Sequence, residues 1–196
     1  AKAIIDVTTA SQEFMVDKKG GPSKNAAKAW FLKGIIYSAI DTTKEAKFKS
    51  LVPEGFPVAK EAFEKSKAID QDKTPSFVSD AMGFPMMNTQ VTGALAQSYF
   101  NIAISNYQDE KDYKKAFSFI EKTLYFLPED TSVMMNAGVF FAPAAEEYDK
   151  ALEIIKKYQA KGGKSSDAYI VMVDIFVNKK KNNEEALKIL QQAKKD

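Results

Sequence analysis

Residues 98–130, SYFNIAISNYQDEKDYKKAFSFIEKTLYFLPED, contain the pattern that decides the fold of this chain. In the first half of the stretch, four apolar residues recur at offsets of three and four: Phe100, Ala103, Ile104 and Tyr107. Side chains at these offsets lie on one face of an α-helix. The stretch therefore begins with a predicted amphipathic helix, which ends where Lys111 and Asp112 interrupt the pattern.

A second helix is predicted directly after this polar pair. Its apolar face is formed by Ala116, Phe117, Ile120, Thr123 and Leu124. Pro128 follows its last turn, a common place for a residue that cannot continue a helix. The two helices thus form a predicted helical hairpin.

The spacing of this hairpin recurs along the chain. Ala116, Ala151 and Ala186 each precede Phe or Leu near the start of a predicted second helix, and successive alanines are 35 residues apart. An earlier hairpin is predicted from the segments AWFLKGIIY at 29–37 and AKEAFEKSKAID at 59–70. A recurrence at this period is the signature of a protein built from helical repeats.

The repeating unit resembles the tetratricopeptide repeat, in which a large residue, Leu-Gly, Tyr, Ala-x-x-x-Phe and Pro stand at fixed places. The residues that carry this resemblance in the quoted stretch are Phe100, Ala103, Ile104, Tyr107, Ala116, Ile120 and Pro128. In the earlier hairpin they are Trp30, Gly34, Tyr37, Ala59, Phe63 and Ser66. The inserted segments and the use of lysine alone also resemble exported bacterial repeat proteins.

The resemblance implies an all-α fold, a tetratricopeptide-type helical-hairpin solenoid that forms one right-handed superhelical domain over residues 1–196. About 3.5–4.5 repeats with two insertions are expected. The predicted segments are a second helix of a truncated repeat at 1–16, repeat one at 24–70 with an insertion at 41–56, an inserted loop at 72–88, repeat two at 89–128, repeat three at 130–163 and repeat four at 165–196. The truncated repeat is inferred from Ala3, Val7 and Ala10, which stand in the Ala-x-x-x-Phe-x-x-Ala places, so the chain is expected to be a fragment or a processed form.

Composition excludes several functional classes. The chain has no histidine and no cysteine, so zinc–thiolate sites and the usual nucleophile–base pairs lack their residues. Its net charge is +2 and it has no arginine, which counts against nucleic-acid recognition. The peptide GGKSSD at 162–167 lacks the first glycine of a phosphate-binding loop, because position 158 is Tyr158. We therefore expect no catalysis, no metal site and no cofactor.

The location of the protein stays open at this level. No apolar run approaches the about 20 residues that a membrane helix needs, so a membrane-spanning protein is not expected. The absence of cysteine suits either the cytoplasm or an exported setting, and the family resemblance favours export or the periplasm. The oligomeric state is not indicated.

In the tetratricopeptide family, partners bind in a concave groove lined by the first helix of each repeat. The resemblance places sixteen residues there: Lys28, Phe31, Ile35, Ser38, Ser98, Asn101, Ser105, Gln108, Val133, Asn136, Phe140, Pro143, Ala168, Val171, Ile175 and Asn178. Among them the expected partner contacts are Phe31, Ile35, Asn101, Ser105, Gln108, Asn136 and Phe140. The clamp of lysine and asparagine that some members use for a terminal carboxylate is not expected, because Phe31 and Ile35 occupy its places.

Two functions remain open. The first is a non-catalytic scaffold that binds a peptide or protein segment in the groove. The second is a module for a small molecule or glycan that uses Phe77–Met87, within the inserted loop. This loop is rich in Phe and Met and has no helical period, so it either folds back over a neighbouring surface or contacts a partner.

Overall fold

The computed structural model describes residues 19–195, which are mostly α-helical and form two compact units that divide between Leu95 and Ala96. The prediction for residues 1–16 lies outside the described residues. Unit 1 contains α1 (Ala26–Thr42), α2 (Ala46–Lys49), α3 (Gly55–Asp70), the strands β1 (Val78–Ser79) and β2 (Pro85–Met86), and the beginning of α4 (Asn88–Gln108). Unit 2 contains the rest of α4, α5 (Tyr113–Phe126), α6 (Thr131–Asn136), a π-helical turn (Ala137–Phe141), α7 (Ala142–Ala144), α8 (Tyr148–Ala160), α9 (Ser166–Asp174), a second π-helical turn (Ile175–Lys179) and α10 (Asn183–Ala193).

The core of unit 1 is the contact between α1 and α3. Gly34 allows a close approach, because a Cβ built on it would lie 2.7 Å from the ring of Phe63. One turn away, the buried Ser66 hydroxyl donates a hydrogen bond of 2.8 Å to the carbonyl oxygen of Ala27. The small residues of both helices therefore lie where the backbones cross.

The first insertion contains less helix than the sequence pattern indicates. A short helix is predicted there from Thr42 to Leu51, yet α2 covers only Ala46–Lys49. Helix α3 then begins at Gly55, two residues before the expected start at Pro57. Gly55 lies against α1, where a Cβ would meet the carbonyl oxygen of Tyr37 at 2.5 Å.

The second insertion forms a β-hairpin. Val78 pairs with Met86 in the antiparallel register of its two short strands. The Asp80 carboxylate closes the turn by accepting hydrogen bonds from the backbone N–H groups of Met82 and Phe84, each at 2.9 Å. Gly83 supplies the left-handed backbone conformation that the turn needs, with φ of 86°.

The base of the β-hairpin is held by neighbouring residues of unit 1. The Asn88 side chain accepts from the N–H of Phe77 at 2.9 Å and donates to the carbonyl of Thr74 at 2.8 Å. The ring of Phe77 lies 5.3 Å from that of Phe31 on α1. The inserted segment therefore covers part of α1 with its base.

Three helical hairpins of unit 2 share one turn geometry. The residues Lys111, Glu146 and Lys181, each 35 positions after the last, lie in the left-handed region with φ of 56°, 63° and 53°. Five residues after each turn, an alanine of the second helix is buried, and these alanines are Ala116, Ala151 and Ala186. The 35-residue spacing of the sequence is therefore a spacing of equivalent backbone positions in this unit.

Side-chain caps fix two of these turns. Asp112 accepts a hydrogen bond from the N–H of Lys115, and Asn182 accepts one from the N–H of Glu185. Each cap satisfies a backbone donor in the first turn of a helix. At the third turn Glu147 makes no such bond.

The third predicted repeat divides at a different place from the one expected. The sequence places the start of its second helix at Pro143, but the helical segment from Thr131 continues through Pro143 to Ala144, and α8 begins at Tyr148. A π-helical turn precedes Pro143 directly, and the helical segment continues past this proline instead of ending at it.

Candidate interaction surface

Two of the first-helix segments contain no charged residue. Helix α4 contains no charged residue over its whole length, and neither does the segment 131–145. The second helices α5, α8 and α10 are different, since each contains both lysine and glutamate. Exposed helix faces are usually charged, so two uncharged first helices form an unusual surface.

Five predicted contact residues lie on these uncharged helices, and we name them the first-helix stripe: Asn101, Ser105, Gln108, Asn136 and Phe140. Asn101 and Asn136 are 35 positions apart, and so are Ser105 and Phe140. Asn101, Gln108 and Phe140 are exposed, whereas Ser105 and Asn136 are half-buried. The structure therefore places all five at least partly in solvent and puts two pairs at equivalent positions.

Hydrogen bonds one turn along each helix orient the polar groups of the stripe. The Gln97 side chain donates to Oδ1 of Asn101 at 2.8 Å. Asn136 donates through Nδ2 to the carbonyl oxygen of Ser132 at 2.8 Å, and Ser105 donates to Asp109 at 3.0 Å. A primary amide has two donors and two acceptor positions, so each asparagine keeps further capacity after one such bond.

A small hollow of about 160 Å³ lies between α4 and α6 beside the stripe. Gln97, Phe100 and Asn136 are among its lining residues. Gln97 and Phe100 are functional candidates that were not among the contact residues predicted from the sequence. The signal that could have identified Gln97 is its offset of four from Asn101 on a helix without charges.

The two predicted contacts in unit 1 have different surroundings. Phe31 is 5% exposed, and its ring lies 5.4 Å from that of Phe63 and 5.3 Å from that of Phe77. Ile35, one turn later on α1, is half-buried. The inserted segment covers Phe31, and the pattern of a repeat without insertions contains no information about that contact.

Several other predicted groove positions are buried. They are Ser38, Val133, Ala168 and Ile175. In α4 the small residue at the packed face is Ala103, which has no exposed area. Its equivalent, Gly138, lies so close to α8 that a Cβ built on it would be 2.8 Å from Cγ1 of Ile155. Burial therefore differs between equivalent positions, since Phe140 is exposed whereas Ile175, 35 positions later, is buried.

The tip of the β-hairpin is a separate apolar surface in unit 1. Met82 is 80% exposed and Phe84 is 64% exposed. Met87, beyond β2, is exposed as well. Because the base is held by Asn88 and Phe77, the tip presents these side chains on an anchored support.

Residues 19–195 contain neither a candidate metal site nor a candidate membrane span. No group of three or more acidic side chains there could hold a metal ion. None of the helices in that range combines the length and the apolar character that crossing a membrane requires. Comparison with known proteins found no matching family model, no similar curated protein and no similar solved structure.

Proposed function

We propose that the chain is a non-catalytic interaction scaffold whose unit 2 consists of tetratricopeptide-type hairpins. In this proposal, a peptide or protein segment binds along the first-helix stripe. The observation that carries the proposal is the pairing of polar and aromatic residues, all at least partly exposed, at equivalent positions of two uncharged helices. Asn101 pairs with Asn136, and Ser105 pairs with Phe140.

The hairpin type is supported by the geometry of unit 2. Left-handed turns recur every 35 positions, close to the 34-residue period of the tetratricopeptide repeat. The buried Ala116, Ala151 and Ala186 stand at the alanine place of that repeat. An ion pair between Lys150 and Glu121, at 2.9 Å, joins two successive hairpins within unit 2.

The chemistry of the stripe suits an extended main chain. Every non-proline residue of such a chain offers one N–H and one C=O. Asn101 and Asn136 have both donors and acceptors to meet them, so no charged ligand is needed. Phe140 is 42% exposed and would supply the apolar anchor, because aromatic side chains at the centre of an interface contribute much of its affinity.

The test is capture of partners from an extract of the native source. The double variant Asn101→Ala with Gln108→Ala removes two exposed amides of the stripe and should lose the partners that the parent retains. Gln191→Ala with Gln192→Ala is the matched control, since it removes two exposed amides from α10. Retention of every partner by a folded stripe variant would remove this surface from consideration.

A second candidate is the binding of a small molecule or glycan at the β-hairpin. The observation in its favour is the exposed Phe84 ring on an anchored turn, because an exposed aromatic face can stack on a sugar ring. Titration of the chain with a panel of glycans, followed by NMR, would discriminate the two candidates. Shifts confined to residues 77–87 that vanish in Phe84→Ser would favour this second function.

A further inference from the structure

The last two helical hairpins of unit 2 enclose a hollow between their second helices. Its volume is about 440 Å³, within the range of roughly 300–1,000 Å³ that is usual for small-molecule sites. Its walls come from the end of α8, the loop that follows α8, and α10, and α9 contributes one side chain between them. We name it the inter-hairpin hollow, and the lining residues that matter here are Lys156, Gln159, Gly163, Lys164, Met172 and Ile189.

Small residues open this hollow. Ala160 and Gly162 are among its lining residues. The equivalent positions of the preceding pair of hairpins, 35 residues earlier, hold the half-buried side chains of Tyr125 and Leu127. The hollow therefore coincides with a local loss of side-chain volume between two hairpins that are both described by the structure.

The loop wall of the hollow is fixed by Tyr158. The ring of Tyr158 lies directly against Gly163, where there is no space for a Cβ. The N–H of Gly163 donates to the carbonyl oxygen of Tyr158 at 3.0 Å, and the Tyr158 hydroxyl accepts from the N–H of Ser165 at 3.2 Å. Gly162 has the left-handed φ of 87° that this turn requires. The wall is therefore preformed.

The side chain of Gln159 supplies an unused hydrogen-bond donor next to the hollow. Its Nε2 atom is buried and has no acceptor among residues 19–195. The equivalent residue in the preceding hairpin is Leu124, which has no polar group to satisfy. Burial of an unpaired donor is unfavourable, and the last torsion of a glutamine side chain is broad. A small rotation of the amide would therefore direct this donor to an acceptor oxygen in the hollow.

Two lysines replace glutamates at the rim of the hollow. In the preceding pair of hairpins, Glu121 pairs with Lys150 at 2.9 Å and Glu129 also pairs with a lysine. The equivalents of these two glutamates are Lys156 and Lys164. Neither of them forms an ion pair within the part of the chain that the structure describes. The hollow therefore has two cationic groups without an anionic partner.

The remaining lining residues leave this positive charge uncompensated and add an apolar base. Glu185 also lines the hollow, but its carboxylate contacts Lys188 at 3.2 Å, and Lys188 lies outside the lining. Met172 and Ile189 are the buried apolar residues of the lining. The chemistry that fits these groups is an anionic head joined to a short apolar body.

We infer that the inter-hairpin hollow binds a small organic oxyanion. Lys156 and Lys164 hold its carboxylate or phosphate group, the Gln159 amide donates to it, and its apolar part contacts Met172 and Ile189. This site shares no residue with the first-helix stripe or with the β-hairpin, so the inference does not depend on either function proposed above.

The probes are hexanoate and hexyl phosphate, which carry the two candidate anionic groups on the same apolar body. Each is titrated into the ¹⁵N-labelled 196-residue chain and followed by NMR. We expect saturable shifts of the Gly162 and Gly163 backbone amides and of the Gln159 side-chain amide. Binding should weaken about tenfold in Lys164→Gln, because a charge-assisted contact is lost.

A second variant and a control make the test independent of Lys164 alone. Gln159→Leu introduces the residue type that the preceding hairpin has at this position, so it should keep the fold and weaken binding of the same probe. Lys157→Gln, at an exposed lysine of α8 outside the lining, is the matched control and should bind as the parent does.

The outcomes separate the alternatives. Binding of hexanoate alone would assign a carboxylate ligand, binding of hexyl phosphate alone a phosphate ligand, and either supports the inference. Equal binding of the neutral hexanamide or of hexylamine would overturn it, because no anion would be required. Absence of saturable shifts with both anions, or binding that Lys164→Gln and Gln159→Leu leave unchanged, would also overturn it. The double variant Asn101→Ala with Gln108→Ala should bind the probes normally, so failure of the stripe proposal remains distinguishable.

Discussion

Small side chains determine how closely the helices approach each other. Gly34 lies under the ring of Phe63 in unit 1, and Gly138 lies against Ile155 in unit 2. Ala151, on α8, has no exposed area. Protein interiors are packed about as densely as organic crystals, so an added methylene group at such a position has little free space.

Ala151→Leu should therefore destabilise the fold. Overpacking of this kind costs about 1–3 kcal/mol. Chemical denaturation followed by circular dichroism measures the change, and Ala160→Leu, at an exposed alanine of the same helix, is the control and should unfold as the parent does. An unchanged free energy of unfolding in Ala151→Leu would mean that the assigned hairpin register is wrong.

A second prediction at this scale concerns Asp70, which joins α3 to the β-hairpin segment. Hydrogen bonds from the side chain and the backbone of Thr74 lower the pKa of Asp70 below its usual value. Because the pKa is lowered in the folded chain, the stabilising contribution is present at neutral pH and is lost as the pH falls through the lowered pKa. In Thr74→Val the backbone donor remains, so the pKa of Asp70 should rise part of the way back.

An NMR titration of the side-chain carboxyl carbons measures this shift. Thr89→Val, at an exposed threonine of unit 1, is the control and should leave the pKa of Asp70 unchanged. An identical titration midpoint in the parent and in Thr74→Val would contradict the assigned hydrogen bond.

Residue-level predictions from the sequence succeed where local spacing determines burial. Ala116, Ala151 and Ala186 follow from helical periodicity alone, and all three are buried. The burial of Phe31 could not be predicted in this way, because the residue that covers it, Phe77, lies 46 positions later in an inserted segment. Contacts made by insertions are not encoded in the repeating pattern.

At the scale of elements, the turns of unit 2 hold non-glycine residues in a conformation that favours glycine. Lys111, Glu146 and Lys181 all have positive φ. An L-residue in the left-handed region is disfavoured by about 1–2 kcal/mol, and these turns still recur with the same geometry. The flanking helices and the caps at Asp112 and Asn182 therefore fix the conformation.

Glu146→Gly should stabilise unit 2 for this reason. Relief of the left-handed strain outweighs the greater chain entropy of glycine, and the expected gain is roughly 0.5–1 kcal/mol. Lys156→Gly, at an exposed position in the middle of α8, should instead cost about 1 kcal/mol. Thermal unfolding of the two variants decides the matter, and a loss of stability in Glu146→Gly would refute the left-handed assignment.

The sequence identifies the helices more securely than their boundaries. In the quoted stretch, α4 ends at Gln108, before the interruption at Lys111 and Asp112, and α5 begins directly after it, because strong apolar periodicity specifies both helices. The predicted boundary at Pro143 is wrong, because proline is common at a helix start and the sequence does not show that the helical segment from Thr131 continues to Ala144. The β-hairpin has strands of two residues, too short for an alternating pattern to reveal.

At the scale of the whole molecule, repetition creates the surface proposed for unit 2. Equivalent positions on two successive first helices, 35 residues apart, produce the first-helix stripe. The turns at Lys111, Glu146 and Lys181 repeat the same left-handed geometry at this spacing. The stripe could be predicted in part from the sequence, whereas the exposure of each of its residues required the structure.

The most direct test of the binding proposal is site-specific photocrosslinking in an extract of the native source. A photoreactive phenylalanine analogue replaces Phe140, and in parallel chains it replaces Phe84 or Leu32. We predict a discrete protein adduct from position 140 that disappears when Asn101→Ala and Gln108→Ala are introduced. Adducts from position 84 alone, or an adduct from position 140 that persists in the double variant, would contradict the assignment of the first-helix stripe as the partner-binding surface.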